Sequence, residues 1–144
     1  MTLTKVKGAV WDSGENTLWV NVKDYGALGD NSTDDSTAIN AAITAANTAG
    51  GGTVYFPEGT YICDASIVLQ SNVYLVGAGR GATTLYTKNA ADIHLINHTS
   101  AVTDVGVMAM TLDGNRTNQT SGVHCLRSGA AMTRGVFRDL HITT

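Results

Sequence analysis

Residues 20–61 decide the fold, and they read VNVKDYGALGDNSTDDSTAINAAITAANTAGGGTVYFPEGTY. Alanine and isoleucine recur at helical spacing in the middle of this stretch, which predicts a helix over residues 34–48. Thr33 is the expected N-cap, and the two aspartates after it favour the positive end of a helix dipole. Three glycines then end the helix, because glycine adopts the left-handed C-cap conformation without a steric clash. Ile39 and Ile43 anchor a small apolar stripe, so the helix is expected to lie flat across the end of another structure.

After the helix, the periodicity changes to that of β-structure. Short runs rich in β-branched residues alternate with turns that contain glycine, asparagine or proline. The predicted strands are residues 53–56, 60–63, 67–69, 73–76, 83–87, 93–96, 105–107, 110–112, 123–126 and 137–142. No second helical pattern lies between them, so a doubly wound α/β sheet is excluded.

An apolar pattern recurs at a spacing that suits one coil of a parallel β-helix. Val73 and Leu75 match Val105 and Val107, each 32 positions later. Val107, Met110 and Leu112 in turn match Phe137, Leu140 and Ile142, each 30 positions later. Within each later copy, the inward-facing positions change from odd-numbered to even-numbered residues. A straight strand cannot produce this change, so a corner between two short strands is required. Gly77, Ala109 and Asp139 are the expected corner column. The residues expected to line the interior are Val54, Val73, Leu75, Val107, Met110, Leu112, Leu140 and Ile142.

The opening stretch strongly resembles the start of the pectate-lyase-like right-handed β-helix family. The shared features are a VxDYGAxGD-type loop, a TDD helix start, an alanine-rich capping helix and the motif GGGxVYFPxGxY. Residues 71–79 (SNVYLVGAG) match a further motif of the family, SxVxLxGxG. The resemblance implies an all-β fold, a right-handed single-stranded parallel β-helix with an N-terminal capping α-helix. The family includes secreted pectinolytic and other polysaccharide-degrading enzymes, and bacteriophage tailspikes.

The expected domain organisation follows from this resemblance. Residues 1–19 are expected to form a leading segment or linker, and residues 20–144 the cap and roughly four coils of a β-helix domain. The sequence stops inside a strand-like run, His141–Thr144, where a solenoid needs a capping element. We therefore expect that the chain is the first piece of a longer one, or that another chain covers this end.

Composition excludes several classes of protein. The formal net charge is −3, which argues against a nucleic-acid partner, and no long apolar run predicts membrane insertion. Cys63 and Cys125 lie far apart, without the spacing of metal ligands, and are predicted to be buried apolar residues. Residues 77–82 fit a dinucleotide-binding GxGxxA pattern, but a β-type run follows where a helix is needed. No cofactor and no metal are therefore predicted.

Four residues are candidates for contact with a sugar substrate. Asp113 stands in Thr111–Asn115 (TLDGN), which resembles the (I/L)DG turn of polygalacturonase-like β-helices, and Arg116 follows it. Asp139 and His141 alternate on one strand face, where a carboxylate and an imidazole suit acid–base chemistry. The competing interpretations are structural: an Asx turn at Asp113, and at Asp139 a corner carboxylate that binds backbone amides.

No catalytic residue is predicted. Glycoside hydrolysis needs a pair of carboxylates, and helix capping explains Asp34 and Asp35. His94, His98 and His124 are isolated in the sequence and are predicted to be surface or wall residues. Whether the full-length parent is an enzyme stays open; if it is a polysaccharide lyase or glycoside hydrolase, its active site is expected beyond residue 144.

Three functional hypotheses follow. The first is the N-terminal part of a phage tailspike or tail-fibre protein, located in the virion, that binds or depolymerises host-surface polysaccharide. The alternative is the N-terminal part of a secreted bacterial polysaccharide lyase or glycoside hydrolase of the pectinase type. The third is a structural stub that caps or anchors. The first hypothesis predicts polysaccharide as the partner, and a homotrimer or larger virion assembly with Trp11 and Trp19 as interface anchors.

Overall fold

The computed structural model describes residues 18–143 as a stack of β-coils with one helix packed across its first end. Helix α1 spans Ser36–Thr48, and short 3₁₀ turns span Val22–Tyr25 and Arg116–Asn118. The strands are β1 (Trp19–Asn21), β2 (Asp30–Asp34), β3 (Gly52–Phe56), β4 (Gly59–Cys63), β5 (Ile67–Val68), β6 (Val73–Gly77), β7 (Thr83–Thr87), β8 (Ile96–His98), β9 (Val102–Asp113), β10 (Leu126–Ser128) and β11 (Met132–Thr143). The predicted anchor Trp11 lies outside the described residues.

The strands form three parallel faces around one core. An eight-stranded sheet bends into two of them: the first sheet holds β1, β3, β6 and the first halves of β9 and β11, and the second sheet holds β2, β4, β7 and their second halves. The third sheet holds β5, β8 and β10. Every strand pairing among the described residues is parallel. The fold is a right-handed single-stranded parallel β-helix, as the sequence predicts.

The register explains which coils the sequence recurrence detects. Leu75 pairs with Val107, and Val107 with Phe137, so the predicted spacings of 32 and 30 residues are confirmed for these coils. The coil between β3 and β6 is shorter, because Val54 pairs with Leu75 only 21 positions later. A search for a single period near 30 residues therefore does not detect this coil.

Corners between the first and second sheets carry unusual backbone conformations. Ala109 and Asp139 have φ angles of 56° and 54°, which confirms two members of the predicted corner column. Asp104 and Arg134 form a second column at the opposite edge of the first sheet, before the first-sheet halves of β9 and β11, with φ angles of 53° and 55°. Left-handed backbone costs an L-residue about 1–2 kcal/mol, and the pairing of β9 with β11 offsets this cost at the four positions.

Helix α1 covers the first coil, as predicted. Ile39 and Ile43 are fully buried, and the helix contacts β1, β3, β4, β5 and β6. Between the helix and the third sheet, the amide of Asn40 donates to the Ser66 carbonyl over 2.9 Å and accepts from the Val68 N–H over 2.9 Å. The cap is therefore held by apolar burial at its centre and by hydrogen bonds at its margin.

The helix begins two residues later than predicted, at Ser36. Thr33 is not the N-cap, because it belongs to β2 together with Asp34, which pairs with Ile62 of β4. Asp35 occupies the N-cap position, but its carboxylate accepts from two backbone N–H groups of the preceding loop instead of from the helix. The residues that the sequence assigns to the helix start therefore form strand pairs or bind the preceding loop instead.

The predicted interior is confirmed on the inner coils and fails on the last strand. The buried predicted residues are Val54, Val73, Leu75, Val107, Met110 and Leu112. Leu140 is only partly buried, and Ile142 is 53% exposed, so the prediction is wrong for Ile142. Both lie on β11, which pairs with β9 on one side, and no described coil covers its other side.

Candidate functional site

An open cleft of about 550 Å³ lies on the outer face of the second sheet. Its lining residues are Asn31, Ser32, Asp34, Ile62, Tyr86, Lys88 and Asn89. Tyr61 and Leu85, the neighbours of two lining residues, are fully buried in the core. Because side chains alternate along a strand, β4 and β7 supply the core and the cleft at the same time.

Asp34 is the acidic side chain of the cleft, and hydrogen bonds hold it in place. Its Oδ1 accepts from the backbone N–H of Ser36 (3.1 Å), the Ser36 hydroxyl (2.7 Å) and the backbone N–H of Asp64 (3.1 Å). Burial raises the pKa of Asp34, but these hydrogen bonds and the charge of Lys88 outweigh it, and the pKa lies below its usual value. Asp34 is therefore ionised at neutral pH and acts as a hydrogen-bond acceptor.

Lys88 supplies the positive charge of the cleft. Its Nζ lies 2.6 Å from Oδ2 of Asp64, and this hydrogen bond and the charge of Asp64 raise the pKa of Lys88. Both side chains are about half exposed, so the pair adds little to stability. An ammonium has three donors, which leaves Lys88 able to donate to a ligand as well.

Tyr86 and Asp113 extend the cleft toward the later coils. They are paired in β7 and β9. Burial raises the pKa of Tyr86, and the charge of Asp113 raises it further, so the phenol keeps its proton and can donate a hydrogen bond. The Asp113 carboxylate accepts from the Asn115 N–H over 2.8 Å, which is the predicted Asx turn.

The loop after this turn is ordered by side-chain hydrogen bonds. Buried Asn115 donates through Nδ2 to the Thr87 carbonyl (2.9 Å) and to Oδ1 of Asn89 (2.7 Å). Asn118 donates in turn to Oδ1 of Asn115 over 2.7 Å. Arg116 begins the 3₁₀ turn and is exposed, and it is not among the residues that line the cleft.

The other two predicted residues lie on β11. Oδ1 of Asp139 is 3.1 Å from Nε of Arg80, so the corner carboxylate pairs with an arginine and not with the expected backbone amides. His141 faces solvent from the outer side of the second sheet, the side on which Asp113 also lies. Contact of the four predicted residues with a sugar stays a prediction.

Sequence reasoning missed a pair of side chains beside the third sheet. His94 and His124, expected to be isolated, stack with their ring centroids 5.3 Å apart. They stand 30 positions apart, so the recurrence that finds the core is also the signal that finds this pair. His98 is a buried wall residue, as predicted, with its ring nitrogens 3.0 Å from the Ser100 carbonyl and the Ser128 hydroxyl.

The strands of this third face also begin later than predicted. The sequence predicts strands at residues 93–96 and 123–126, but pairing begins at Ile96 and Leu126. Asp92 has a φ angle of 52°, so the chain turns just before the histidine stack. The two histidines therefore lie between the turn and the paired strands.

The two cysteines are buried and free. Cys63 and Cys125 are buried, as predicted, and burial raises the pKa of both thiols. Within residues 18–143, no group of three or more His, Cys, Asp or Glu side chains is arranged to hold a metal ion. No helix in the same range is long and apolar enough to cross a membrane.

Comparison with known proteins assigns the family. The sequence profile described as "Rhamnogalacturonase A/epimerase, pectate lyase-like" matches residues 19–136. The chain belongs to this family. The matched range of this pectate-lyase-like chain includes α1, the cleft and the histidine stack.

Three similar proteins come from a bacterium and a virus. Mannuronan C5-epimerase AlgE3 of Azotobacter vinelandii is 44% identical over 115 residues, which are 72% of this chain and 6% of that protein. The solved A-module of Azotobacter vinelandii mannuronan C-5 epimerase AlgE4 has a TM-score of 0.78 and 32% identity, over 86% of this chain and 38% of that one. ORF18 of Geobacillus virus E2 has a TM-score of 0.68 and 33% identity, over 85% and 25%. The chain thus spans well under half the length of each.

Proposed function

We propose that the chain forms the helix-capped end of a β-helix protein that binds and modifies a uronate polysaccharide. The observation that carries this proposal is the 44% identity to a mannuronan C5-epimerase over 115 residues. Mannuronan is a polymer of a sugar acid. This similarity favours the hypothesis of a polysaccharide-acting enzyme over that of a tailspike, and it adds epimerisation to the reactions of the parent protein.

The chemistry of the cleft supports binding of a hydroxyl-rich chain. Asp34 accepts hydrogen bonds, Lys88 donates them and attracts carboxylates, and Asn31 and Asn89 do both. The ring of Tyr86 adds a flat apolar wall on the same face. The cleft follows successive strands of the second sheet, so a polymer lying in it crosses several coils.

Binding, not turnover, is the role proposed for these residues. Asp34 is held ionised by its donors and is therefore a poor general acid. We expect the chain by itself to leave oligomannuronate unchanged in assays for unsaturated products and for epimers. Turnover that disappears in Asp139→Asn or in His141→Gln would assign catalysis to the predicted residues of β11.

Calorimetric titration of the chain with oligomannuronate and with maltohexaose, a neutral hexasaccharide, tests the proposal. We expect the acidic chain to bind and the neutral one to bind at least about tenfold more weakly, because Lys88 attracts only the former. Tyr86→Ala should weaken binding about fivefold, whereas Tyr55→Ala, which removes a tyrosine from the first sheet, should change it less than twofold. Equal binding of both sugars, or binding of neither, would reject the proposal.

A phage structural protein is the second candidate, and the similarity to ORF18 of Geobacillus virus E2 favours it. This candidate predicts the homotrimer expected from the sequence, with exposed Trp19 at the interface. Sedimentation at micromolar concentration separates the two candidates. A trimer favours the virion protein, and a monomer favours the polysaccharide-modifying enzyme.

A further inference from the structure

The histidine stack beside the third sheet presents a hydrogen-bond donor. The rings of His94 and His124 are nearly parallel, at 10°, and belong to successive coils. The backbone N–H of His124 donates to Nδ1 of His94 over 3.2 Å. Since Nδ1 is the acceptor, the proton of the neutral His94 ring lies on Nε2. The Nε2–H group points away from this bond and can donate to a ligand.

Arg127 adds a permanent positive charge on the same face. It lies on β10, paired with Asn97 of β8, and Asn97 pairs with Val68 of β5. These three side chains form the outward column of the third sheet, because the neighbouring Ile96 and Leu126 pack toward the core. Arg127 is exposed, and its charge reaches His94, where it adds to burial in lowering the pKa of the imidazole.

The guanidinium of Arg127 has no acidic partner in the part of the chain that the structure describes. Among residues 18–143, the three ion pairs are formed by other basic side chains, and none includes Arg127. Asp92, two positions before His94, keeps its negative charge, but its carboxylate accepts from the backbone N–H groups of Thr120 (2.7 Å) and Ser121 (3.1 Å) and forms no ion pair with Arg127. One unpaired guanidinium and two imidazoles therefore share an exposed surface.

We propose, building on the proposed function, that His94, His124 and Arg127 bind the carboxylate of an acidic sugar on the outer face of the third sheet. A guanidinium binds a carboxylate through two parallel N–H bonds, and Nε2–H of His94 adds a further donor. The amide of Asn97, in the same column, can bind neighbouring sugar hydroxyls. This carboxylate subsite is separate from the cleft, which lies on the second sheet.

Binding at this subsite takes up protons. Arg127 and His124 are the charged or titratable groups that oppose protonation of His94, and a bound carboxylate offsets both of them. The pKa of His94 starts below its usual value, so affinity rises as the pH falls below about 6.5. Sugar carboxylates stay ionised at about pH 6, because carboxyl groups titrate near pH 4 and below.

Calorimetric titration of the chain with a mannuronate hexamer near pH 6 and at low salt tests the subsite. We expect Arg127→Gln, and the double variant His94→Gln/His124→Gln, each to weaken binding about tenfold, through loss of charge-assisted hydrogen bonds. Arg138→Gln removes an exposed arginine from the first sheet and is the matched control, with less than about twofold change. Unchanged affinity in Arg127→Gln, with a wild-type chain that binds, overturns the subsite and leaves the proposed function standing.

Nuclear magnetic resonance of the histidine ring signals separates the subsite from the proposed function. Titration with free galacturonate should shift the signals of His94 and His124 and raise the apparent pKa of His94, and glucose should not. This shift without hexamer binding would retain the subsite and reject the proposed function. No shift with galacturonate overturns the subsite. If Arg127→Gln fails to fold, Arg127→Lys keeps the charge, loses the two-point contact, and should still weaken binding several-fold.

Discussion

The two ends of the described coils place the same kind of side chain in different surroundings. At the first end, Ile39 and Ile43 of α1 are fully buried against the first coil. At the other end, Ile142 of β11 pairs with the buried Leu112 but is 53% exposed. Hydrophobic stabilisation scales with the apolar area removed from water. An inward-facing residue therefore stabilises a coil only where a further layer covers it.

Removal of side-chain volume at each end tests this difference most strongly. Ile43→Ala should cost about 2–4 kcal/mol of unfolding free energy, because it opens a cavity under the cap. Ile142→Ala should cost less than about 0.5 kcal/mol, because the side chain is already half in water. Urea denaturation measures both. Equal losses would show that the cap does not distinguish the two ends.

Addition of a methyl group tests how tightly the covered coils are packed. A Cβ at Gly77 would overlap the carbonyl oxygen of Ala109 and approach Cβ of Met110 to 2.8 Å. Gly77→Ala should therefore cost about 1–3 kcal/mol. Gly122→Ala is the control, since nothing lies within 4 Å of its added Cβ. A Gly77→Ala variant as stable as wild type in the same urea assay would contradict close packing at this corner.

An ion pair on the exposed coils should matter less. Nε of Arg134 lies 2.5 Å from Oδ1 of Asp104, and both residues occupy the second corner column. The Arg134 side chain is 67% exposed, so Arg134→Gln should lower the unfolding free energy only slightly, and less in high salt. A larger loss that persists in molar salt would mean that the arginine acts through its left-handed backbone or its packing.

The smallest effect expected is the pH dependence that His94 contributes. Burial, Arg127 and His124 hold the pKa of His94 below its usual value in the folded chain. The unfolded chain therefore binds this proton first as the pH falls through about 6.5, and stability declines below that pH. Above about pH 6.5, His94 no longer makes the stability of the folded chain depend on pH. His94→Gln should flatten the stability profile between pH 7 and pH 5, and a profile that matches wild type would show that His94 does not contribute.

The sequence predicts the fold best where one coil matches the next in length. Val107 and Phe137 are found by their spacing alone, and the register pairs them directly. The coil that pairs Val54 with Leu75 has another length and escapes the search. The start of α1 is misplaced because propensity at Asp34 favours a helix cap, while pairing with Ile62 draws that residue into a strand.

The candidate site is harder to predict because its parts come from different coils. The turn at Asp113 is local, and its sequence suffices to find it. Asp34 and Tyr86 line one cleft although 52 positions separate them, and only the path of the coils brings them together. The pairing of Asp139 with Arg80 is equally non-local, so backbone amides are the wrong expectation there.

The length of the coils also governs the order in which the chain can fold. Paired strand residues lie between 21 and 34 positions apart. Every strand in the described chain therefore has a pairing partner that is close in the sequence. Helix α1 and the first coil precede the other coils in the sequence, and together they form a closed layer. In solenoids, each new repeat is stabilised by its neighbour. During synthesis from the N-terminus, the helix and the first coil can therefore fold before the strands that pair with them are made.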